Sequence, residues 1–386
     1  MAREPHARAL VLGDRDLVAP LHRAGVAVTV VSPPAASVRF SRYASGWLLD
    51  PRPDEDALCI ALLEEGRKIL GPAALFYEED ADALFISRRR ADLATELRFV
   101  IPSADLVERL IDKAAFQQFA TDLGLPVPAG RQLDLCAGPP DLSGISFPVV
   151  VKPLWRERAW EDISPAKALL VDGPERLREL LAGLAPAHES VLVQSSIRGP
   201  ETAIESYHVY VDAEGEVAAQ FTGRKLRTYP QHMGHSTALV STDSADVAAL
   251  GRAVVQAIQL RGVAKLDFKR DAEGRLWLLE INPRFNLWHH LGAAAGVNIP
   301  AVVWADLVGE ARPPSKPARP GVSWCHVKRD WRAAREQRIG LARWLRWVAT
   351  CDTRVGLNPA DPLPLVATKV VIPAAQRLSR LTGRGR

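Results

Sequence analysis

The chain of 386 residues has few cysteines and no long apolar segment. Its four cysteines are far apart and include no Cys-x-x-Cys pair: they are Cys59, Cys136, Cys325 and Cys351. In a long chain this spacing favours reduced thiols over disulfides or a structural zinc site. No run reaches the roughly 18 apolar residues of a membrane span, and residues 1–8 lack the apolar stretch of a signal peptide. We therefore expect a cytoplasmic protein.

Lysine is also scarce, because the chain has 39 arginines but only 10 lysines. Arginine evidently serves wherever a general positive charge is needed, so a retained lysine is expected to have a specific reason. Six of the ten lysines lie between Lys113 and Lys269. This stretch is therefore the first place to look for a site that binds anions.

The net charge of +4 averages two unlike regions. Residues 311–386 contain 16 Lys or Arg and 4 Asp or Glu, a net of +12, whereas residues 1–310 have a net of −8. Within the basic region, four apolar residues recur at helical spacing among arginines: Leu341, Trp344, Leu345 and Val348. We expect a helix that docks on the acidic body by charge complementarity. A membrane-surface helix, extended by a last helix over residues 373–381, is the second interpretation, and no motif supports nucleic-acid binding.

Hydrophobic patterning divides the chain into four parts. A β-α-β pattern and a further strand at Ala73–Tyr77 predict a parallel α/β domain over residues 1–103, without a Gly-x-Gly-x-x-Gly motif. One helix is predicted over residues 104–123, followed by strands at 148–152 and 191–194. Residues 201–282 alternate strands with Asp- and Gly-containing turns, which indicates an antiparallel α+β region. Four prolines in residues 311–321 mark a linker.

The strongest local signal for chemistry is a predicted hairpin over residues 262–284. Glu280 and Asn282 are two residues apart on a strand, so their side chains share a face. With a turn centred between residues 272 and 273, Asp267 lies opposite Leu278 on that face, diagonal to Glu280. Two carboxylates and an amide oxygen are ligands of the type that Mg²⁺ prefers. The alternative is a solvated polar face of an exposed hairpin.

A second acidic group follows the strand Ala73–Tyr77, at Glu78, Glu79 and Asp80. The carboxyl ends of parallel strands are the edge at which ligands usually bind in such sheets. These side chains could bind an amine substrate, but a solvated acidic loop is the favoured interpretation.

Several motifs in order resemble the ATP-grasp superfamily, in its carboxylate-amine ligase branch with D-aspartate ligase-like proteins. The resemblance covers about residues 5–310. The motifs that carry it are Ile111-Asp112-Lys113, Val149-Val150-Val151-Lys152-Pro153, Gln194-Ser195-Ser196-Ile197-Arg198-Gly199, Gly223-Arg224-Lys225-Leu226-Arg227 with Tyr229-Pro230, and Leu279-Glu280-Ile281-Asn282-Pro283-Arg284.

The resemblance implies an ATP-grasp fold, mixed α/β and α+β, with a Rossmann-like pre-ATP-grasp domain over 1–103 and ATP-grasp subdomains over 104–190 and 191–310. Composition and patterning add a fourth segment over 311–386, which is a linker with a helical basic extension. ATP would lie between the two subdomains.

The resemblance also implies a role for each motif residue. The phosphate-binding lysines would be Lys113 and Lys152. The hinge that meets adenine would be Gln194, Ser195, Ser196 and Ile197, and Glu201 would bind the ribose. One or two Mg²⁺, or Mn²⁺ in their place, would be held by Asp267, Glu280 and Asn282. The reacting groups would be stabilised by Arg284, Lys225 and Arg227, of which the last two are predicted to share a strand face.

One segment departs from the superfamily, since residues 154–168 contain no glycine where relatives close a glycine-rich loop over the phosphates. Arg156, Arg158 or Lys167 are expected to supply that contact.

The implied reaction joins a small carboxylate to an amine through an acylphosphate and releases ADP and phosphate. A non-catalytic nucleotide-binding or scaffold module and a carboxylase that uses carboxyphosphate remain as alternatives. We expect small-molecule partners and no nucleic acid. Peripheral contact of the basic tail with the inner membrane surface and homo-oligomer formation are left open.

Overall fold

The computed structural model describes residues 7–136, 138, 140–154, 160, 164, 166–185 and 190–373. Within these ranges the strands form three sheets, of four, four and seven strands.

The first sheet is parallel and has the order β3-β2-β1-β4. Its strands are β1 (Arg8–Leu12), β2 (Val28–Ser32), β3 (Gly46–Leu49) and β4 (Ala73–Tyr77). Its helices are α1 (Arg15–Arg23), α2 (Glu55–Lys68), α3 (Asp80–Arg88) and α4 (Arg90–Leu93). The predicted β-α-β unit and the strand at 73–77 are confirmed. β3 and α2 were not predicted; β3 is only four residues long and none of its residues is fully buried.

The single helix predicted over residues 104–123 is wrong. The chain forms α5 (Ala104–Ile111) and α6 (Lys113–Asp122), with a break at Asp112. The Asp112 carboxylate accepts hydrogen bonds from the amides of Ala114 and Ala115, at 2.9 and 2.8 Å, so it caps a new helix. Lys113 is therefore the first residue of α6 and not a mid-helix residue.

The second sheet is antiparallel and has the order β5-β8-β6-β7. It contains β5 (Gly130–Asp134), β6 (Val149–Pro153), β7 (Leu169–Val171), α7 (Pro174–Leu184) and β8 (Ser190–Ser195). β8 spans the predicted division between residues 190 and 191, and it pairs with β5 and β6.

The third sheet has the order β13-β12-β9-β10-β11-β14-β15. Its first part contains β9 (Ile204–Val211), β10 (Val217–Tyr229), β11 (His235–Thr242), α8 (Ala245–Ala257), β12 (Gly262–Arg270) and β13 (Leu276–Asn282). After β13 come α9 (Trp288–Ala295), α10 (Ile299–Val308), β14 (Ser323–His326), α11 (Val327–Glu336), α12 (Leu341–Thr350), β15 (Thr353–Val355) and α13 (Leu363–Val366). The antiparallel pairing of β9, β10, β12 and β13 confirms the expected strand-rich tract.

The basic C-terminal region is built into this sheet. β14 pairs with β11, and β15 pairs with β14 in parallel. One apolar core runs from Phe76 of the first sheet through Trp288 of α9 to Trp324 of β14. Residues 323–355 are therefore part of the folded body, because their strands complete a sheet edge.

The helix predicted from the spacing around Trp344 is confirmed as α12, and Arg338, with a φ of 56°, separates it from α11. The predicted apolar face also divides. Trp344 and Val348 are buried, whereas Leu341 and Leu345 are about half exposed. The last predicted helix, over residues 373–381, lies outside the described part of the chain except for Pro373.

The predicted docking of the basic region on the rest of the protein is confirmed. Overall charge complementarity, which was the predicted cause, does not by itself explain the contacts. Asp330 of α11 forms a two-pronged ion pair with Arg227 of β10, at 2.7 and 2.8 Å. Asp361 accepts hydrogen bonds from the Ser41 hydroxyl and the Arg42 amide. Asp330 and Asp361 thus attach the basic region to the rest of the protein, which total charge does not reveal.

No single helix in the described ranges is long and apolar enough to cross a membrane. The bent pair α9 and α10, at 91°, passes that test by length and composition only.

Candidate functional site

A cavity of about 180 Å³ is lined by strands of both the second and third sheets. Eight of the thirteen predicted site residues line it: Lys113, Lys152, Gln194, Glu201, Lys225, Asp267, Glu280 and Asn282. Lys167 also lines the cavity, so four of the chain's ten lysines meet there. The scarcity of lysine was therefore an informative signal.

Asp267 lies directly opposite Glu280, and Lys265 lies opposite Asn282. The predicted partner of Asp267, Leu278, pairs with Phe268 instead. The prediction was wrong because β13 contains a β-bulge, in which Leu279 is an extra residue without a partner. The bulge turns a diagonal relationship into a direct cross-strand pair, whose Cβ atoms lie about 5 Å apart in such sheets.

Two lysines neutralise Asp267. The Lys265 ammonium lies 2.6 Å and the Lys225 ammonium 3.6 Å from Asp267 Oδ2, and the Ser206 hydroxyl donates a hydrogen bond to Oδ1. Burial by itself would raise the pKa of Asp267, but these two cations and the hydroxyl outweigh it and hold the pKa well below its usual range. Asp267 is therefore ionised at neutral pH.

Glu280 is ionised for a related reason. Burial and the neighbouring Asp267 charge would each raise the pKa of Glu280, but the ammonium groups of Lys265, Lys167 and Lys225 lower it below its ordinary value. The two carboxylates thus stay charged side by side because cations surround them.

The donor set fits a shared Mg²⁺ or Mn²⁺. Ionised Asp267 and Glu280, with the Asn282 amide oxygen, are hard oxygen ligands on one face. In the described residues no group of three His, Cys, Asp or Glu side chains is placed to hold a metal ion, so the face of the hairpin offers Asp267 and Glu280 as a pair. Two carboxylates suit Mg²⁺ that also binds water and phosphate oxygens, rather than a metal enclosed by protein.

A row of side chains positions Lys152. Its ammonium donates to Gln194 Oε1 at 2.8 Å, and Gln194 Nε2 donates to Gln117 Oε1 at 2.8 Å. Burial lowers the pKa of Lys152 to about 8, an effect that Glu280 opposes and Lys113 supports. Gln117 was missed in the sequence, where a buried glutamine of α6 has no distinguishing pattern.

Lys113 reaches the cavity from the start of α6. Its ammonium donates to the carbonyls of Pro153 and Leu154, at 2.8 and 2.9 Å. Pro153 is the last residue of β6 and Leu154 follows it, so Lys113 ties α6 to the end of the strand that carries Lys152.

The predicted adenine hinge, apart from Gln194, lies outside the cavity that the lysines line. Ser195, Ser196 and Ile197 do not line the described cavity. The Ser195 amide donates to the Ala129 carbonyl at 2.7 Å, and the Ser196 amide donates to the Pro148 carbonyl at 3.0 Å. Both amides are used within the protein, and the adenine contact stays a prediction.

Lys225 and Arg227 do not share a face as predicted. β10 is irregular at this point, since Lys225 pairs with Leu239 and Arg227 with the adjacent Ala238. This bulge leaves Lys225 in the cavity and directs Arg227 to Asp330 and over the Trp347 ring, at 4.9 Å. Arg227 therefore does not line the cavity.

Arg284 bridges the end of the first sheet and Asn282, one of the predicted metal ligands. Its Nε donates to Asp80 at 2.5 Å, its Nη1 donates to the Glu78 carbonyl at 2.8 Å, and its Nη2 lies 3.4 Å from Asn282 Oδ1. A guanidinium held on three sides has a defined position beside the cavity.

The acidic segment beside Arg284 is only partly the solvated loop that we favoured, since Glu79 is exposed but Glu78 is not. Glu78 is buried and accepts a hydrogen bond from the Asp14 amide at 2.7 Å. Burial, together with the nearby Asp16 charge, raises the pKa of Glu78 to about 8. Asp80 pairs with Arg284, so the segment is a structural junction at the edge of the cavity. Arg156 and Arg158, expected to contact phosphate, lie outside the described residues.

The chain is similar to ATP-grasp proteins in sequence and in fold. A family model described as ATP-grasp in the biosynthetic pathway with Ter operon matches residues 187–329. A D-alanine--D-alanine ligase of Halorhodospira halophila is 28% identical over 220 residues, 52% of this chain and 66% of that protein. A D-aspartate ligase of Enterococcus faecium is 26% identical over 245 residues, 59% of this chain and 57% of that protein. These matches confirm the resemblance to the carboxylate-amine ligase branch, although they span less than two thirds of the length of these relatives.

Solved structures agree on the fold. A biotin carboxylase from Campylobacter jejuni has a TM-score of 0.61 at 16% identity, covering 83% of this chain and 74% of that chain. An L-amino acid ligase from Bacillus licheniformis has a TM-score of 0.59 at 16% identity, covering 79% of this chain and 75% of that chain. The expected ATP-grasp fold is therefore confirmed.

Proposed function

We propose that the protein is a Mg-ATP-dependent ligase that joins a small carboxylate to an amine and releases ADP and phosphate. The observation that carries this proposal is the direct pairing of ionised Asp267 and Glu280, beside Asn282, in a cavity with four lysines. Such an arrangement suits a triphosphate with its metal ion. The names of the sequence relatives, a D-alanine ligase and a D-aspartate ligase, support amino acids as the class of substrate.

The cavity residues would act mainly by holding and neutralising charge. Phosphoryl transfer needs little covalent help from a protein but much positive charge around the transferred group. Lys113 and Lys152 would bind phosphate oxygens, and Lys225 would exchange its contact with Asp267 for one with the phosphate. A Mg²⁺ held by Asp267, Glu280 and Asn282 would supply charge neutralisation between phosphate groups.

Arg284 would orient the substrate carboxylate. Its position is set by Asp80 and the Glu78 carbonyl, so little reorganisation is needed when negative charge develops on the reacting group. The carboxylate would take the γ-phosphoryl group to form an acylphosphate. Attack by a neutral amine on the acyl carbon would then expel phosphate.

Adenine and ribose contacts are proposed from the resemblance. The hinge at Gln194–Ile197 would meet adenine, and Glu201, which lines the cavity, would bind the ribose hydroxyls. The structure also supports a more specific role for the Gln194 side chain, which holds Lys152.

A screen of phosphate release tests the proposal. Carboxylate and amine panels are supplied singly and in pairs with Mg-ATP, and turnover is expected only when both substrates are present. Bicarbonate-dependent ADP release without an amine would instead select the carboxylase. Tight Mg-ATP binding without turnover for any pair would favour the non-catalytic module.

A further inference from the structure

The loop between β10 and β11, residues 230–234, contacts the C-terminal extension on its outer side. Glu336, the last residue of α11, accepts a hydrogen bond from the Gln231 amide at 3.0 Å. The Arg332 guanidinium lies over the ring of Tyr229, the residue before the loop, at 6.0 Å. The extension therefore holds the loop by its backbone.

The inner side of the same loop forms part of the cavity wall. Met233 and Gly234 line the cavity together with Lys167. The Lys167 amide donates to the Met233 carbonyl at 3.1 Å, so the loop also holds the segment that leads into β7. One short loop thus links α11 to a cavity lysine.

The loop is tightly folded. A Cβ atom on Gly234 would lie 2.0 Å from the Pro230 carbonyl oxygen, so only glycine fits this turn. The Thr228 hydroxyl donates to the Gln231 carbonyl at 2.6 Å. Because the loop is compact, a tether at Gln231 also restricts Met233 and Gly234.

α11 is itself firmly attached on both sides of the loop. Asp330, which is fully buried, binds Arg227 of β10 and accepts a hydrogen bond from the Thr237 hydroxyl of β11 at 3.0 Å. The Trp344 indole of α12 donates to Asp330 Oδ2 at 3.1 Å. The extension is therefore a rigid support for the loop, since removing one partner of a buried ion pair is costly.

We propose that the C-terminal extension completes the nucleotide cavity and that Glu336 is a positioning residue, which holds the 230–234 loop and, through it, Lys167. The inference rests on the proposed function only for the identity of the ligand. Glu336 is exposed at the end of a surface helix and contributes little to global stability. By holding the loop in place before the ligand binds, Glu336 reduces the conformational entropy that is lost on binding.

The test compares three variants of the full chain. Glu336→Ala removes the acceptor, Glu336→Gln keeps a carbonyl acceptor of the same length, and Arg335→Ala changes the exposed neighbour on the same helix. Amide hydrogen exchange of residues 228–236 without ligand, the dissociation constant for Mg-ATP and the melting temperature are measured for each.

We expect faster exchange at Gln231 and a dissociation constant about three- to tenfold higher in Glu336→Ala, the range for one lost hydrogen bond, at an unchanged melting temperature. Glu336→Gln and Arg335→Ala should behave as the wild-type chain does. Unchanged Mg-ATP affinity in Glu336→Ala, or an equal loss in Arg335→Ala, overturns the inference. If the wild-type chain binds no Mg-ATP, the proposed function and the nucleotide part of the inference both fail, while exchange at Gln231 still decides whether Glu336 is the tether.

Discussion

Asp267 faces Glu280 directly across the β12–β13 hairpin, because the bulge at Leu279 shifts the strand register by one residue. Like charges in direct opposition normally destabilise a sheet. Here the ammonium groups of Lys265 and Lys225, at 2.6 and 3.6 Å from Asp267 Oδ2, offset the repulsion. The two carboxylates therefore stay paired because cations lie beside them.

Replacing Glu280 with alanine should abolish Mg-dependent ATP turnover, because one of the two proposed carboxylate ligands is lost. We expect a loss of at least about 100-fold, with the fold intact since a repulsive neighbour of Asp267 is removed. Steady-state ADP release and circular dichroism check both parts. Glu273→Ala, on the exposed turn of the same hairpin, is the matched control. Unchanged turnover in Glu280→Ala would contradict the metal assignment.

Asp267→Asn should lower the free energy of unfolding at pH 7 by about 1–3 kcal/mol, because two buried ammonium groups lose a charged partner. The lowered pKa of Asp267 makes its contribution fully present above the unfolded pKa of about 3.9 and lost as the pH falls towards the folded value. The difference between wild type and variant should therefore shrink below about pH 4. Urea unfolding at several pH values measures it, and a constant difference would contradict the coupling.

Mg-ATP affinity should fall above about pH 8, because Lys152 has its pKa lowered to about 8 and loses its charge there. Isothermal titration from pH 6.5 to 9.5, a range chosen to span roughly this pKa, gives the profile. Lys152→Arg should remove the inflection, since arginine stays charged throughout. An identical profile in this variant would assign the titration to another group.

Gln194→Leu should raise the Mg-ATP dissociation constant about tenfold, because Lys152 loses the carbonyl that positions it and Gln117 loses its donor. Nucleotide titration measures the change. The control is Gln118→Ala on the exposed side of α6, where the glutamine bonds only to Asp122 among the contacts described. A normal affinity in Gln194→Leu would show that Lys152 needs no such support.

Local patterns predicted the parts of the molecule that are governed by local physics. The strand Ala73–Tyr77 and the turn at residues 271–274 follow from apolar runs and turn-forming residues, and both were predicted. The break at Asp112 was missed although its signal is local, since an aspartate can cap a helix inside an apparently continuous pattern.

Partners distant in the chain could not be predicted. Arg227 binds Asp330, 103 residues away, and Glu78 is buried against Asp14. The bulges at Leu279 and after Lys225 decide which side chains enter the cavity, and both depend on how neighbouring strands pair. Residue spacing along one strand does not reveal such a shift.

The sequence by itself determined the chemistry that is available: few lysines, concentrated in one stretch, and a hairpin that carries two carboxylates and an amide. Residue type and spacing are enough for the hairpin, because strand residues two apart point to the same face. Only the tertiary structure decided that Asp267 lies directly opposite Glu280 and that Lys225 lines the cavity whereas Arg227 does not. It also decided that strands of the basic C-terminal region complete the third sheet. These outcomes depend on strand register and on long-range burial of charge, which are properties of the packed chain and not of any local segment.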